Sequence, residues 1–287
     1  MHYPPTELVL NNEGQVYHLG MSADQIADKI ILVGDQNRVE MVASFFERIE
    51  HESQHREFVC KTGVYNGKRV TALSTGIGTD NIDIVINELD ALANIDIETR
   101  IDKPNVTSLD IVRIGTCGIL QAEIPVHSFI LSSHALGLDN VAHFYEINET
   151  SEEKELNSAI NAHIDLPNEI VTYLRKASPK MMEKLTSDKT FQGITVTSSG
   201  FFGPQGRHLR LNSKTGHLNE QLTSFRYENN KILNFEMESS ALFALGNALG
   251  HHCGTICLGI GNRPRMEYTD GYKPYMLQLI QYVLDRI

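Results

Sequence analysis

The chain has 287 residues, enough for one large α/β domain with a substantial core. Its 36 acidic residues outnumber the 25 basic ones, and a net charge of -11 argues against general nucleic-acid binding, which needs a basic face. No apolar run approaches the roughly 20 residues that span a bilayer. The N-terminal residues have neither a basic start nor an apolar core, so we expect a cytoplasmic protein with no signal peptide and no membrane partner.

Six short apolar runs end in glycine, serine or threonine, as strands buried on both faces do. They span residues 29–34, 70–76, 111–115, 128–133, 194–200 and 255–261. Three segments with helical spacing of apolar residues lie at 81–92, 239–249 and 275–284. This alternation predicts a single α/β domain over residues 1–287, with a central mixed β-sheet flanked by helices.

Two polar stretches interrupt the pattern. Residues 94–108 lack both the helical and the strand period and are predicted to be an exposed insertion before a central strand. Residues 150–156 are strongly charged and are predicted to be a solvated loop or the start of a helix. The four cysteines show no zinc-binding spacing and are predicted to be buried and reduced.

The segments that follow the first two predicted strands have residues suited to an anion. Ligands of open α/β sheets collect at the carboxyl ends of the strands. Gly34 allows close backbone approach, and Arg38 can donate a forked pair of hydrogen bonds. Residues 74–79 place two glycines and hydroxyl side chains before a helix. Alone, the first segment is better explained as a turn with Asp35 starting a helix and Arg38 on the surface, and the second is equally typical of a tight strand-to-helix turn.

The third predicted strand carries an arginine inside an otherwise apolar run. A buried charge needs a partner, so Arg113 requires an internal carboxylate or a bound anion. Thr116 and Gly118 follow it with a hydroxyl group and exposed amides. Three such strand ends in one sheet favour a phosphate site, and the alternative is an Arg113 salt bridge that only holds the core.

The segment 201–207 could recognise a planar base. Its aromatic side chains can face a ring, while Gln205 and Arg207 can read adjacent carbonyl and imide edges by hydrogen bonding. A Gly-Pro surface turn is the more common meaning of such a stretch.

The segment 235–239 has two glutamates, Glu236 and Glu238, at the start of an apolar helix. One carboxylate that accepts from two vicinal hydroxyls would hold a ribose. By itself the segment is better explained as a helix N-terminus with favourable acidic residues and a serine cap.

In their order along the chain, these segments resemble the nucleoside phosphorylase family and, within it, the uridine phosphorylases. The shared segments are a Gly-Asp-x-x-Arg loop, a Ser-Thr-Gly-Ile-Gly loop, an Arg-Ile-Gly-Thr-x-Gly strand end, a Phe-x-x-x-Gln-x-Arg loop and a Glu-Met-Glu segment. The resemblance implies a pentose-transferring enzyme that needs neither metal nor organic cofactor, with inorganic phosphate as a co-substrate. It also implies at least a homodimer, with a hexamer as the alternative.

The resemblance assigns a role to each matching residue. Phosphate-binding positions are Gly34, Arg38, Arg56, Arg113 and Thr116. Ribose-binding positions are His18, Glu236, Met237 and Glu238. Base-binding positions are Cys117, Gly118, Phe201, Gln205, Arg207 and Arg263. Arg56 and His18 would reach into the site of the neighbouring subunit. The catalytic residues would be Arg113, Glu238 and Arg207.

These roles together predict conversion of uridine and phosphate to uracil and ribose 1-phosphate. Purine phosphorylases typically carry an aspartate just past the last central strand. Here residues 258–263 have no carboxylate and the next is Glu267, which favours a pyrimidine. A nucleosidase would use water and would not need Arg38, Arg56 and Arg113 together. A non-catalytic nucleoside-binding protein would bind without turnover, and the intact arginines and glutamates argue against it.

The chain departs from the family pattern in two loops. Gln36 stands where the first loop usually has proline. Residues 79–81 replace a stretch of a small residue followed by Pro-Ser, and they bring Asp80 near the predicted anion site.

Overall fold

The computed structural model describes residues 2–287 and shows a mixed β-sheet of twelve strands, with helices packed on it. The strands of the chain are β1 (Lys29–Val33), β2 (Arg48–His55), β3 (Phe58–Tyr65), β4 (Lys68–Ser74), β5 (Ile95–Asp96), β6 (Ile101–Asp102), β7 (Asp110–Ile119), β8 (Phe129–Gly137), β9 (Tyr173–Lys176), β10 (Thr190–Thr197), β11 (Arg226–Tyr227), β12 (Asn230–Glu236), β13 (His252–Asn262) and β14 (Glu267–Tyr268). The helices are α1 (Gln36–Ala43), α2 (Thr79–Asn94), α3 (Ser151–His163), α4 (Pro179–Leu185), α5 (Leu218–Ser224), α6 (Ser239–Ala248) and α7 (Lys273–Leu284). Strands β5 and β6 form a separate hairpin.

The strand order places the carboxyl ends of β4, β1, β7 and β13 side by side. The sheet runs β11-β12-β10-β8-β13-β7-β1-β4-β3-β2, with β9 beside β8 and β14 beside β13. Strand β1 is parallel to β4 and β7, and β7 is parallel to β13. Strand β12 also pairs with β7, which closes β7, β13, β8, β10 and β12 into a ring. Motifs that are far apart in the sequence therefore meet at one edge of the sheet.

Alternate residues of each central strand supply two apolar layers. In β1, Ile30 and Leu32 pack with apolar residues of α2 and α6, whereas Ile31 and Val33 pack with those of α1 and α7. All four side chains are fully buried. Burial on both faces explains why these strands read as continuous apolar runs instead of alternating ones.

The predicted fold class is confirmed: the chain forms an α/β domain with a mixed sheet. The six predicted strands correspond to β1, β4, β7, β8, β10 and β13, and the three predicted helices correspond to α2, α6 and α7. The sequence reading missed the edge strand β2, whose residues are polar and largely exposed. Among residues 2–287, no helix is long and apolar enough to cross a membrane.

The two polar stretches contain more structure than the sequence predicted. Residues 94–108 are mostly exposed, but they include the β5–β6 hairpin. Residues 150–156 begin α3, which was the second of the two predicted alternatives. The Thr150 side chain accepts from the Glu153 backbone N–H while the Glu153 side chain accepts from the Thr150 backbone N–H, and this reciprocal cap fixes the start of the helix.

Candidate active site

A cavity of about 1080 Å³ opens at the edge where β1, β4, β7 and β13 end. All but two of the predicted site residues line this cavity. Those in its wall are Gly34, Arg38, Arg113, Thr116, Cys117, Gly118, Phe201, Gln205, Arg207, Glu236, Met237, Glu238 and Arg263. His18 and Arg56 are the two that do not belong to the wall.

Arg113 on β7 forms a buried ion-pair cluster with both glutamates of the 235–239 segment. Its Nη1 lies 3.1 Å from Oε2 of Glu236, and its Nη2 bonds to Oε2 of Glu238. Burial alone would lower the pKa of Arg113, but the two carboxylates outweigh it and hold the pKa above its ordinary value. The internal carboxylate that the sequence required is therefore present, while the bound anion stays a prediction.

The two glutamates have different structural roles. Glu236 accepts from the Thr197 hydroxyl at 2.5 Å and from the backbone N–H groups of Glu238 and Ser239 at 2.9 Å, so it caps the first turn of α6. Glu238 occupies the N-cap position, but its side chain makes no capping hydrogen bond. It accepts instead from the Gly78 backbone N–H at 2.8 Å. The interpretation of the segment as a helix start thus fits Glu236, while Glu238 faces the cavity loops. Burial raises the pKa of Glu238.

A glycine makes room for the Arg113 guanidinium. A Cβ at Gly115 would overlap Nη1 of Arg113 and lie 2.9 Å from Sγ of Cys257. We expect Gly115→Ala to displace the guanidinium, to raise KM for an anionic co-substrate about tenfold, and to lower the free energy of unfolding by about 1–3 kcal/mol. Gly216→Ala is the matched control, because nothing lies within 4 Å of its Cβ position. Steady-state kinetics and urea unfolding test this, and equal behaviour of the two variants would contradict it.

Arg38 supplies a second buried cation at the same end of the cavity. It lies in the first turn of α1, for which Asp35 is the N-cap, as the sequence suggested. Its side chain is buried, not on the surface, and Nη1 donates to the Ile114 carbonyl oxygen at 3.4 Å. Burial lowers the pKa of Arg38 and the positive charge of Arg113 lowers it further, while Tyr272, which hydrogen-bonds the guanidinium, and Asp35 offset part of this effect. Among residues 2–287, no carboxylate forms an ion pair with Arg38, so this cation is available to an anion.

Another part of the cavity wall combines aromatic rings with two more arginines. The Arg207 guanidinium lies 3.6 Å above the Phe201 ring and bonds to Oε1 of Gln205. Nη2 of Arg263 lies 3.5 Å from the same oxygen, and its guanidinium faces the Phe235 ring at 5.6 Å. Burial, together with the charge of Arg263, lowers the pKa of Arg207 to about 10. Both guanidinium groups thus converge on the Gln205 side chain.

Two further wall residues, Gly76 and Ile77, belong to the 74–79 loop that the sequence predicted to suit an anion. The sequence assigned no individual site role to the other wall residues, which are Asp35, Gln36, Glu57, Asn81, Phe235, Ile260, Gly261, Asn262, Met266, Glu267 and Tyr268. Glu267 matters most, because β14 folds back on β13 and pairs Asn262 with Glu267. Its Oε2 lies 3.2 Å from Nε of Arg265. A carboxylate therefore does reach this wall, and its absence from residues 258–263 no longer argues for a pyrimidine.

The loop after β4 differs from what the sequence suggested. Asp80 is exposed in the first turn of α2 and is not part of the wall. Asn81 takes that place, and its Nδ2 lies 3.3 Å from Oε1 of Glu57. Among residues 2–287, no group of three histidine, cysteine, aspartate or glutamate side chains is arranged to hold a metal ion. That the site needs no cofactor stays a prediction.

His18 and Arg56 lie together outside their own cavity. The His18 carbonyl oxygen is 2.8 Å from Nδ1 of His55, and the Arg56 guanidinium lies 5.7 Å from the Tyr17 ring. Arg56 is exposed, and the side chain of His18 is 31% exposed. Their reach into a neighbouring subunit stays a prediction.

Two buried arginines and a pair of arginines beside aromatic rings, in the wall of one cavity, are the features that the resemblance to nucleoside phosphorylases predicts. The chain belongs to the phosphorylase superfamily, whose family model matches residues 28–270. The predicted family is thereby confirmed.

Individual relatives agree with this assignment. The chain is 29% identical over 254 residues to a uridine phosphorylase of Haemophilus influenzae, covering 88% of each protein. It is also 29% identical over 230 residues to a DeoD-type purine nucleoside phosphorylase of Brevibacillus brevis, covering 79% of each. The solved structure of a Trypanosoma brucei nucleoside phosphorylase, described as showing uridine phosphorylase activity, superimposes with a TM-score of 0.87 at 28% identity and covers 98% of this chain and 99% of that one. The prediction of an enzyme similar to uridine phosphorylases is confirmed.

Proposed function

We propose that the protein converts uridine and inorganic phosphate to uracil and ribose 1-phosphate. The observation that carries the proposal is the pair of buried arginines, Arg38 and Arg113, of which Arg38 has no carboxylate partner among residues 2–287. Two buried guanidinium groups at a cavity wall, of which Arg38 has no carboxylate partner, supply the forked donors that suit an anion such as phosphate. Thr116 and the backbone of Gly34 add a hydroxyl and an amide to the same end.

In this proposal phosphate, ribose and base occupy the cavity in that order. Phosphate at the arginine end attacks C1′ of the ribose while the bond from C1′ to the base nitrogen breaks, through an oxocarbenium-like state. The phosphate charge stabilises that cation, and Glu238 accepts hydrogen bonds from the vicinal ribose hydroxyls. The bonding electrons leave with the base, and the negative charge on its ring is stabilised by Arg207 and Arg263.

The two arginines of the base end support a pyrimidine as the leaving group. They provide fixed positive charge to a base that departs as an anion, and Gln205 lies between them. A purine departs more readily when its imidazole ring is protonated, which needs an acid. Glu267, the carboxylate nearest to this end in the chain, is ion-paired with Arg265. The relatives of the chain also include a purine nucleoside phosphorylase.

The alternative functions account for fewer of these features. A nucleosidase activates water and gains nothing from two buried arginines next to the ribose site. A nucleoside-binding protein without turnover does not need a cationic end opposite the base. We also propose that the enzyme is at least a homodimer, because His18 and Arg56 lie outside their own cavity. The four free and buried cysteines support a cytoplasmic location.

An assay of uridine, thymidine, inosine and adenosine, each with and without phosphate, tests the proposal. We expect uridine to be cleaved fastest and only in the presence of phosphate, with ribose 1-phosphate as a product. Turnover that does not depend on phosphate would indicate a nucleosidase. A preference for inosine over uridine would refute the pyrimidine assignment.

A further inference from the structure

The hydroxyl group of Thr197 holds Glu236, one of the two carboxylates that contact Arg113. Thr197 is the last residue of β10, its side chain is fully buried, and it lies beside Glu236 in the register of the parallel strands β10 and β12. Its hydroxyl donates to Oε1 of Glu236 at 2.5 Å and accepts from the backbone N–H of Ser240, in the first turn of α6, at 3.0 Å. Thr197 is not part of the cavity wall, so it acts on the candidate site only through these neighbours.

The hydrogen bonds of Glu236 leave its carboxylate no acceptor site for a substrate. An ionised carboxylate offers about four lone-pair sites. Oε1 accepts from the Thr197 hydroxyl and, at 3.1 Å, from the backbone N–H of Ser239. Oε2 accepts from the backbone N–H groups of Glu238 and Ser239 at 2.9 Å and lies 3.1 Å from Nη1 of Arg113. Glu236 is therefore a fixed anchor for Arg113, and the contact with a ribose falls to Glu238.

We propose that Thr197 is a positioning residue for Arg113: its hydroxyl holds the Glu236 carboxylate in the orientation that directs the guanidinium towards phosphate. This inference rests on the proposed function. A guanidinium is planar and donates in fixed directions, so the placement of its carboxylate partners decides which N–H groups are left for an anion. Thr197 also restrains the second partner, because its bond to Ser240 holds the first turn of α6, of which Glu238 is the N-cap.

Thr195, two residues earlier on β10, makes a matched set of hydrogen bonds that does not reach this cluster. It is also fully buried, and it lies beside Asn234 in the register of β10 and β12. Its hydroxyl donates to Oδ1 of Asn234 at 2.9 Å and lies 2.5 Å from the Ser132 hydroxyl oxygen. Arg113 forms its ion pairs with neither of these side chains. Thr195 is therefore the control for the loss of a buried hydroxyl on this strand.

The variant Thr197→Val removes the hydroxyl at nearly constant shape. The Glu236 carboxylate then loses one donor and can turn, which displaces the guanidinium of Arg113. We expect KM for phosphate to rise about five- to tenfold and kcat to change less than about threefold. Thr195→Val, which loses the same number of hydrogen bonds, should leave KM for phosphate within about twofold of the wild type. Thr197→Ser, which keeps the hydroxyl, should return KM for phosphate to that range.

An unchanged KM for phosphate in Thr197→Val, or an equal rise in Thr195→Val, would overturn the proposal. If Thr197→Val does not fold, Thr197→Cys takes its place, because a thiol is of similar size and is only a weak donor. The expected rise in KM for phosphate is then about threefold. A Thr197→Cys protein with the KM of the wild type would overturn the proposal as well.

Urea unfolding at a series of phosphate concentrations measures the same effect without turnover. We expect Thr197→Val to need about five- to tenfold more phosphate than the wild type or Thr195→Val for the same shift of the urea midpoint. If the wild type cleaves uridine only with phosphate but Thr197→Val needs no more phosphate than the wild type, the role of Thr197 is overturned and the proposed function stands. If phosphate stabilises the wild type but no nucleoside is cleaved, the proposed function is refuted, and the midpoints of the two threonine variants still decide the role of Thr197.

Discussion

Replacing Arg113 with alanine is expected to lower phosphate-dependent turnover about 10²- to 10³-fold and to destabilise the fold at the same time. The activity loss follows from removing a buried, preoriented donor at the proposed phosphate end, and one such donor is typically worth about that factor. The stability loss follows from the ion-pair cluster. Glu236 and Glu238, each less than 5% exposed, would lose the cation that both contact.

The size of the stability loss distinguishes this site from a surface ion pair. Removing one partner of a buried pair costs roughly 3–5 kcal/mol, because the remaining charge is left without compensation. Here two carboxylates are left in contact with the same vacated space, so we expect the upper part of that range. Urea unfolding of the phosphate-free protein measures the effect.

Arg113→Lys separates the two consequences. Lysine keeps a positive charge beside the glutamates but replaces the planar fork with a single ammonium group. We expect this variant to regain most of the unfolding free energy while its KM for phosphate stays well above that of the wild type. An Arg113→Ala variant with unchanged KM for phosphate would contradict the phosphate role. An unchanged unfolding free energy would contradict the cluster's role in stability.

The central sheet could be predicted because its strands are buried on both faces. Residues 29–34 and 111–115 have no polar face to alternate with, so they stand out as apolar runs. The edge strand β2 could not be predicted in this way. Its pairing with β3 is fixed by backbone hydrogen bonds, while its side chains are largely polar. The two-residue strands β11 and β14 are too short to show any period.

The candidate site could be predicted where residues follow parallel strands. Their carboxyl ends share one edge, so Gly34 and Thr116 had to lie close together once both were placed at strand ends. Glu267 is different, because it reaches the wall through a hairpin whose fold-back no apolar period reveals. The roles of Glu236 and Glu238 differ because their side chains point in different directions. The sequence of a short segment with two glutamates does not predict those directions.

The second large effect is expected from Arg38→Met. Whereas Arg113→Ala should lower the free energy of unfolding, Arg38→Met should leave it unchanged or raise it. Arg38 is buried, and within residues 2–287 it lacks an ion-pair partner. The nearest backbone acceptor, the Ile114 carbonyl oxygen, lies at 3.4 Å. Tyr272 hydrogen-bonds the guanidinium and Asp35 attracts it, but burial and the charge of Arg113 outweigh both and lower the pKa of Arg38, so the charged side chain disfavours the folded state. We therefore expect the phosphate-free variant to be as stable as the wild type or more stable by about 1 kcal/mol.

With phosphate bound, we expect the wild type to be more stable to unfolding than Arg38→Met. A ligand that binds only the folded protein stabilises it by RT ln(1 + [L]/Kd), which is about 2.7 kcal/mol at a hundredfold excess over Kd. If methionine removes one of two cations that hold phosphate, KM for phosphate rises roughly 30- to 100-fold and most of this stabilisation is lost at the same phosphate concentration. Without phosphate, Arg38→Met should unfold at the same urea concentration as the wild type or at a higher one. With phosphate, it should unfold at a lower urea concentration than the wild type. Arg48→Met, at an exposed surface pair, is the control and should gain the same phosphate stabilisation as the wild type. An Arg38→Met protein that gains as much from phosphate as this control would show that Arg38 does not hold the anion.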